Sequence, residues 1–393
     1  MNIGIICEYN PFHNGHLYHI EKVREDFGDD TNIIAVMSGN YVQRGEPSVF
    51  PKEVRVEAAL KNGADMVVEL PFVYASASAE VFAENAVRIL VSLGCNKIAF
   101  GTESAGIEEL VFLADLFTTK EFNQKTEKYL KTGCNYPVAR QKAIDEFDIS
   151  SDISTPNNIL ALEYIKALKK IGADTEPVAV SRTGAGYNDN CAYDEFASAT
   201  FIRNLIYNNE SFRKYVPENI YDLYTDNLSS DNFLSAEKYN IILQSLLRTA
   251  TYESGKEIAN MSEGLENRID NAVRNSIHLN DIYDMAKSKR YTHSRIRRAV
   301  LCRALGVTKE VVSAPVPYIR LLGFKNDFSS QIGKIVSHSD LPLIVRFSDI
   351  KNIGNNMADK VFTYECISSD IYNLSLNKSR NSTSEKTFSP IKR

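Results

Sequence analysis

Apolar residues in the first half of the chain come in short β-rich runs: Ile3–Cys7, Ile33–Met37, Met66–Leu70, Lys97–Phe100 and Pro177–Val180. Between these runs the apolar positions recur at helical spacing, near Gly15–Asp26, Lys52–Asn62, Ala77–Leu93 and Asn157–Lys170. Strand and helix alternating at this interval predict an α/β fold, a Rossmann-like parallel sheet covered by helices on both faces. From about Ser211 the β signal fades and helical patterns prevail. Pro315-Val316-Pro317 marks a boundary, beyond which Tyr318–Phe324, Leu341–Phe347 and Val361–Leu376 read as a small appended unit that returns a short β piece to the core. The expected organisation is therefore an α/β unit over 1–210 and a mainly helical unit over 211–376. The Ser/Asn/Lys-rich segment 377–393 is expected to be a disordered tail.

In parallel sheets ligands sit outside the carboxyl ends of the strands, so the residues just after each run carry the chemistry. The first run stops at Asn10-Pro11, because proline cannot donate to a sheet ladder, and helical spacing starts at Gly15. That join of strand, turn and helix N-terminus offers backbone N–H groups and a positive dipole end to an anion. His13 and His16 flank Gly15 there, where a ligand can approach the backbone and imidazoles can donate to phosphate oxygens. His19, one turn further on, reads as structural from its position alone.

The loop after the second run, 38–47, supplies neutral hydrogen-bonding groups in Ser38, Asn40 and Gln43, and one cation, Arg44, whose fork suits a carboxylate. So little charge points to a small, weakly charged acceptor rather than a phosphorylated one. Lys52 and Arg55 read equally as cleft residues or as solvated helix charge, and Glu69 reads mainly as core. Gly101 ends the fourth run where adenine or ribose can lie against bare backbone. Asn157 stands at a helix start, either reading a nucleotide or capping the helix. Arg182, followed by a Gly184-Ala185-Gly186 turn, suits a phosphate clamp. Ser198, Thr200 and Arg203 open another helix and would converge on a triphosphate.

Composition changes this picture little. The chain has 393 residues, 44% hydrophobic and 24% charged, as in soluble globular proteins. No run of eighteen apolar residues exists to span a membrane, and no secretory leader is evident at the N-terminus. Six cysteines scattered without a Cys-x-x-Cys pair fit a reducing cytoplasm and argue against structural zinc. The net charge of −5 does not announce nucleic-acid binding. Yet 285–303 holds Lys287, Lys289, Arg290, Arg295, Arg297, Arg298 and Arg303 with no acidic residue, interleaved with Tyr291, Thr292 and His293. A basic patch on an acidic chain is the footprint of an RNA or DNA backbone, where the plainer alternative is a solvated helix face.

His13-Asn14-Gly15-His16 resembles the HxGH signature of the nucleotidyltransferase superfamily, and the 198–203 element resembles the hydroxyl-rich segment that closes its phosphate site, with Ala199 where a hydroxyl is usual. Cys7–His16, Ser38–Pro47, Phe100–Glu103, Pro156–Leu160, Ser181–Asn188 and the basic helical half together resemble the tRNA(Met) cytidine acetate ligase family over nearly the whole chain. The resemblance implies that ATP and acetate give acetyl-adenylate and pyrophosphate. Acetyl then passes to the wobble cytidine of elongator tRNA(Met), giving N4-acetylcytidine. It implies His13 and His16 as catalytic residues. ATP would be bound by Cys7, Glu8, Tyr9, Asn10, Pro11, Phe12, His13, Asn14, Gly15, His16, Leu17, Tyr18, His19 and Ile20, with Gly101, Asn157 and Arg182. Cys7 stands where the family favours a smaller residue, so it contributes backbone rather than thiol chemistry.

Acetate is already a nucleophile at neutral pH, so no general base is needed; alignment and charge stabilisation suffice, with Mg²⁺ expected on the triphosphate. A metabolic nucleotidyltransferase acting on a phosphorylated small molecule, or a non-catalytic nucleotide- and RNA-binding protein, are the alternatives. The oligomeric state is not legible.

Overall fold

The computed structural model describes residues 1–103, 106–147, 155–181, 192–250, 257–261 and 264–393. The described residues form the strands β1 (Asn2–Cys7), β2 (Asn32–Ser38), β3 (Met66–Leu70), β4 (Lys97–Thr102), β5 (Glu176–Ser181), β6 (Ala192–Tyr193), β7 (Phe196–Ala197), β8 (Ile319–Phe324), β9 (Leu343–Ile344) and β10 (Ile391–Lys392). The main sheet is ordered β10-β8-β3-β2-β1-β4-β5, with β9 beside β8, while β6 and β7 make a separate hairpin. β1 to β5 are mutually parallel, as the alternating pattern predicts. β8 pairs antiparallel with β3, so the sheet is mixed at that edge.

Strand side chains point alternately to the two faces, and each face has its own core. Ile3, Ile5, Ile33, Ala35 and Met37 meet Ile20 and Val23 of the helix Asn14–Phe27 and Val56 and Leu60 of the helix Lys52–Lys61. Ile34, Val36, Met66, Val68 and Leu70 face the helices Ala79–Ser92 and Pro156–Ile171 and the later helical half. The β piece expected after Pro317 is β8, and it enters the first sheet rather than a sheet of its own. Strands from beyond residue 211 therefore extend the N-terminal unit.

The segment 377–393 departs from expectation. Instead of a disordered tail it forms the short helix Ser384–Thr387 and then β10, parallel to β8. Composition shows its serines and lysines but not what Glu385 meets. Its carboxylate is 3% exposed, 2.7 Å from Lys52 Nζ and also paired with Arg320, both of which contact Glu69 as well, at 2.6 and 2.8 Å. Glu365 completes the group, 3.4 Å from Lys52. Two buried cations require carboxylates, and one of them comes from the tail.

Lys52 and Arg55 are thus neither cleft nor solvent residues. Both are fully buried. Arg55 donates to the carbonyls of Glu8, Ser38, Gly39 and Phe50, which ties down the carboxyl ends of β1 and β2. Glu69 is core, as read, held in the ion group.

Candidate active site

A cavity of about 380 Å³ opens at the carboxyl ends of β1, β4 and β5. Its floor is the turn after β1. His13 caps the helix Asn14–Phe27: its Nδ1 accepts from the Gly15 N–H at 3.1 Å, while the His13 N–H donates to His16 Nδ1 at 3.2 Å. An imidazole nitrogen that accepts cannot carry the proton, so each neutral ring holds its hydrogen on Nε2. The two rings lie 3.8 Å apart at 31° and both line the cavity. Tyr9 sets its ring edge against His16 at 4.9 Å. The local sequence thus builds a pair of pre-oriented N–H donors at the positive end of a helix dipole.

Within 7–20, Cys7, Glu8, Tyr9, His13, Gly15, His16, Tyr18 and His19 line the cavity. The others brace it. Asn10 Oδ1 accepts from the Val49 N–H, the Phe12 carbonyl accepts from Tyr224, and Asn14 donates to the carbonyls of Glu195 and Lys214. Pro11 is buried, Leu17 packs against the core, and Ile20 is part of it. Burial pushes the Cys7 thiol pKa far up, consistent with a backbone role. Burial also raises the Glu8 carboxyl, opposed by the Gln43 N–H it accepts and by the charges of Arg44 and Arg203.

Gly101 lines the wall beside Phe100, and the helix Pro156–Ile171 adds Ile159 and Leu160. Asn157 lines the cavity and donates to Glu103 Oε1 at 2.6 Å, so it is not the helix cap; that place belongs to Thr155. Ser198 caps the helix Ala199–Tyr207 by accepting from the Phe201 N–H. Arg203 joins Thr200 to the Asn10 carbonyl, which seats this helix against the histidine turn, while Phe196 and Ala197 reach the cavity wall. Arg182 and its glycine turn lie outside the described residues.

The loop after β2 divides. Ser38 is fully buried and its carbonyl accepts from Arg55; Asn40 accepts from the Lys52 N–H and donates to Ser369. Gln43 and Arg44 line the cavity.

The basic run divides too. Lys287, Lys289 and Arg290 are exposed. Arg295 lies over the Tyr291 ring at 5.1 Å, and Arg303 pairs with Asp270. Arg297 pairs with Glu46, and Arg298 donates to the Gln43 carbonyl at 3.3 Å, so both hold the 38–47 loop. Arg298, Thr292 and Ser294 line the cavity itself. Sequence reading missed this placement. The one available signal was Gly45: its φ is +75°, and a Cβ there would lie 2.8 Å from the Arg298 nitrogen. Only glycine lets loop and helix approach so closely.

The geometry can bind an anion-bearing ligand on the imidazole pair while apolar side chains from β4, β5 and the helix Pro156–Ile171 enclose the rest. Among the described residues, the group of carboxylates close enough to hold a metal is Glu69, Glu365 and Glu385, which Lys52 and Arg320 already neutralise.

Comparison with known proteins agrees with this geometry. Residues 1–387 match the HIGH Nucleotidyl Transferase family. The chain is 38% identical to the tRNA(Met) cytidine acetate ligase of Thermoanaerobacter sp. (strain X514), over 96% of each chain. It is 35% identical to that of Lysinibacillus sphaericus (strain C3-41), over 96% of this chain and 95% of the other. Its fold is similar to crystal structures of Thermotoga maritima TmcAL. The apo form superposes with a TM-score of 0.92 at 31% identity, covering 100% of this chain and 99% of that one. A form bound with alpha-thio ATP gives 0.90.

Proposed function

Since the chain belongs to the tRNA(Met) cytidine acetate ligase family of HIGH nucleotidyl transferases, we propose that its cavity carries out both halves of an ATP-dependent acetylation of tRNA. In the first half an acetate oxygen attacks the α-phosphorus of ATP, the bond to the β-phosphate oxygen breaks, and acetyl-adenylate and pyrophosphate form. In the second, the exocyclic amine of the wobble cytidine of elongator tRNA(Met) attacks the acetyl carbonyl carbon and loses a proton, and AMP leaves. The observation that carries this reading is the histidine pair. Two Nε2–H donors held by backbone bonds in the cavity wall meet the charge that develops on the phosphate oxygens.

Acetate is ionised at neutral pH and attacks unaided, so the site needs no base for the first half. What the chain supplies is alignment. Gly101 and the apolar wall hold the nucleoside, and the imidazoles with the helix dipole hold the phosphates. ATP would enter with Mg²⁺, which would offset the negative charge of the triphosphate. Glu8, the carboxylate among the described cavity-lining residues, is the residue that would approach that ion. Arg182 and Arg203 remain phosphate partners in this reading.

The exposed Lys287, Lys289 and Arg290 would meet the tRNA backbone, with the target base splayed from the anticodon loop into the cavity. Among the described residues no helix is long and apolar enough to cross a membrane, and a tRNA substrate places the reaction in the cytoplasm. Incubation with ATP, labelled acetate and bulk tRNA tests the whole proposal. Acetylated cytidine in the nuclease digest is expected. Label in the adenylate alone, or on another nucleoside, would contradict the RNA half.

A further inference from the structure

Arg298 is read from sequence as part of an RNA-binding patch, yet its surroundings are those of a small-anion site. Its side chain reaches the cavity wall from the helix His293–Leu305. Its Nε–H is buried with no hydrogen-bond partner, and its one described hydrogen bond runs from Nη1 to a neutral carbonyl, that of Gln43. Arg297 and Arg303 on the same helix have carboxylates, Glu46 and Asp270; Arg298 has none among the described residues. A desolvated guanidinium without a counter-ion is unfavourable, and a bound anion relieves it. Burial lowers its pKa to about 10, further opposed by Arg295, so it keeps its charge at neutral pH.

The neighbours fix which anion. Arg44, the cation of the 38–47 loop, has its charge acting on the half-buried Glu8 carboxyl. The cavity that Arg298 lines is also lined by Ser294 and, from the helix Ala79–Ser92, by Ala79 and Phe82, the latter 2% exposed. A fork for two oxygens and an apolar wall in one cavity match a short carboxylate, with its alkyl end on the wall. A phosphate has no apolar end to place there.

We propose that Arg298 binds the carboxylate of acetate, holding one oxygen toward the α-phosphate, while Ala79 and Phe82 bound the methyl group. This rests on the acetate-activating reading above. No bond is made or broken by Arg298 itself. The two oxygens take its paired N–H groups, and the attacking oxygen leaves them as the acyl phosphate forms.

Acetate-dependent exchange of labelled pyrophosphate into ATP, which needs no tRNA, tests it with R298Q and R298K. R298Q retains an amide able to reach the Gln43 carbonyl but has no charge; R298K retains the charge without the fork. For R298Q the KM for acetate is expected to rise tenfold or more, about 1.4 kcal/mol of binding, with the KM for ATP within threefold of wild type. R298K is expected to fall between. An unchanged acetate KM in folded R298Q, or an equal rise for ATP, would overturn the assignment to acetate. Thermal unfolding of each variant separates loss of the fold from loss of the site. Should wild-type exchange itself ignore acetate, the ligase reading fails along with the assignment; acetate-dependent exchange that R298Q leaves intact sinks only the role of Arg298.

Discussion

Glu365 shows what a single buried side chain imposes. Burial pushes its pKa up to about 8, and the Glu69 carboxylate beside it adds to the rise, outweighing Lys52. Burial also works against ionised Glu385, but the adjoining charges of Lys52 and Arg320 hold it down to about 2. A raised carboxyl stabilises the fold fully below its unfolded pKa and loses that contribution as pH climbs through the folded value. Stability at 25 °C is therefore expected to decline from pH 6.5 to pH 9, and E365Q, neutral throughout, is expected to flatten that decline. Urea midpoints at the two pH values measure it; parallel declines in wild type and variant would contradict the assignment. Sequence gave no hint of this group, because its members stand at 52, 69, 320, 365 and 385 and only the closed sheet brings them together. The histidine pair was legible for the opposite reason: both residues, their cap and their glycine lie within one turn of chain. Ser38 and Asn40 have residue types that suit ligand binding, but both are buried: Asn40 is held by the Lys52 N–H and Ser369, and the Ser38 carbonyl by Arg55.

At the scale of elements, β1 to β5 and the helices between them follow the apolar periodicity closely, since β2 and β3 are buried on both faces and read as continuous runs, β1 and β4 nearly so, and only the edge strand β5 is largely half-exposed. β8 returns to the core as the apolar run after Pro317 predicts, but its antiparallel seat beside β3 depends on partners that periodicity does not encode. The decisive contact between elements is the loop 38–47 against the helix His293–Leu305, made at Gly45 and locked by Glu46–Arg297 and Gln43–Arg298. G45A is expected to lower unfolding free energy by about 1–2 kcal/mol, from the left-handed backbone and from the close approach to Arg298. It should also raise the KM for acetate, because the loop carries Gln43 and the helix carries Arg298. Denaturant unfolding with exchange kinetics checks both; a variant as stable and as active as wild type would show that the contact is slack.

Over the whole molecule, the C-terminal half is not an appendage to an ATP domain. It supplies three strands to the sheet, one wall of the cavity, and Arg320, Glu365 and Glu385 to the buried ion group. Removing residues 384–393 takes away Glu385 and β10 together, and is expected to destabilise the chain by at least about 3–5 kcal/mol, the usual effect of breaking a buried pair. A truncated chain with unaltered melting would contradict this. The exposed part of the basic run should behave differently. Changing Lys287, Lys289 and Arg290 together to Gln is expected to leave stability and pyrophosphate exchange intact. The slope of log affinity for tRNA against log salt should become shallower by about 2–3. Filter binding at several salt concentrations reads that slope, and an unchanged slope would place the RNA elsewhere.

The account as a whole turns on two backbone-held imidazoles that stabilise transfer of an adenylyl group to acetate. Exchange of labelled pyrophosphate into ATP, with and without acetate, in wild type and in H16A, tests this most directly. Wild-type exchange should require acetate, and H16A should lower its rate by about 100-fold or more, as loss of a preorganised donor does, with the fold unchanged by circular dichroism. Exchange that proceeds equally without acetate, or that survives undiminished in H16A, would contradict it.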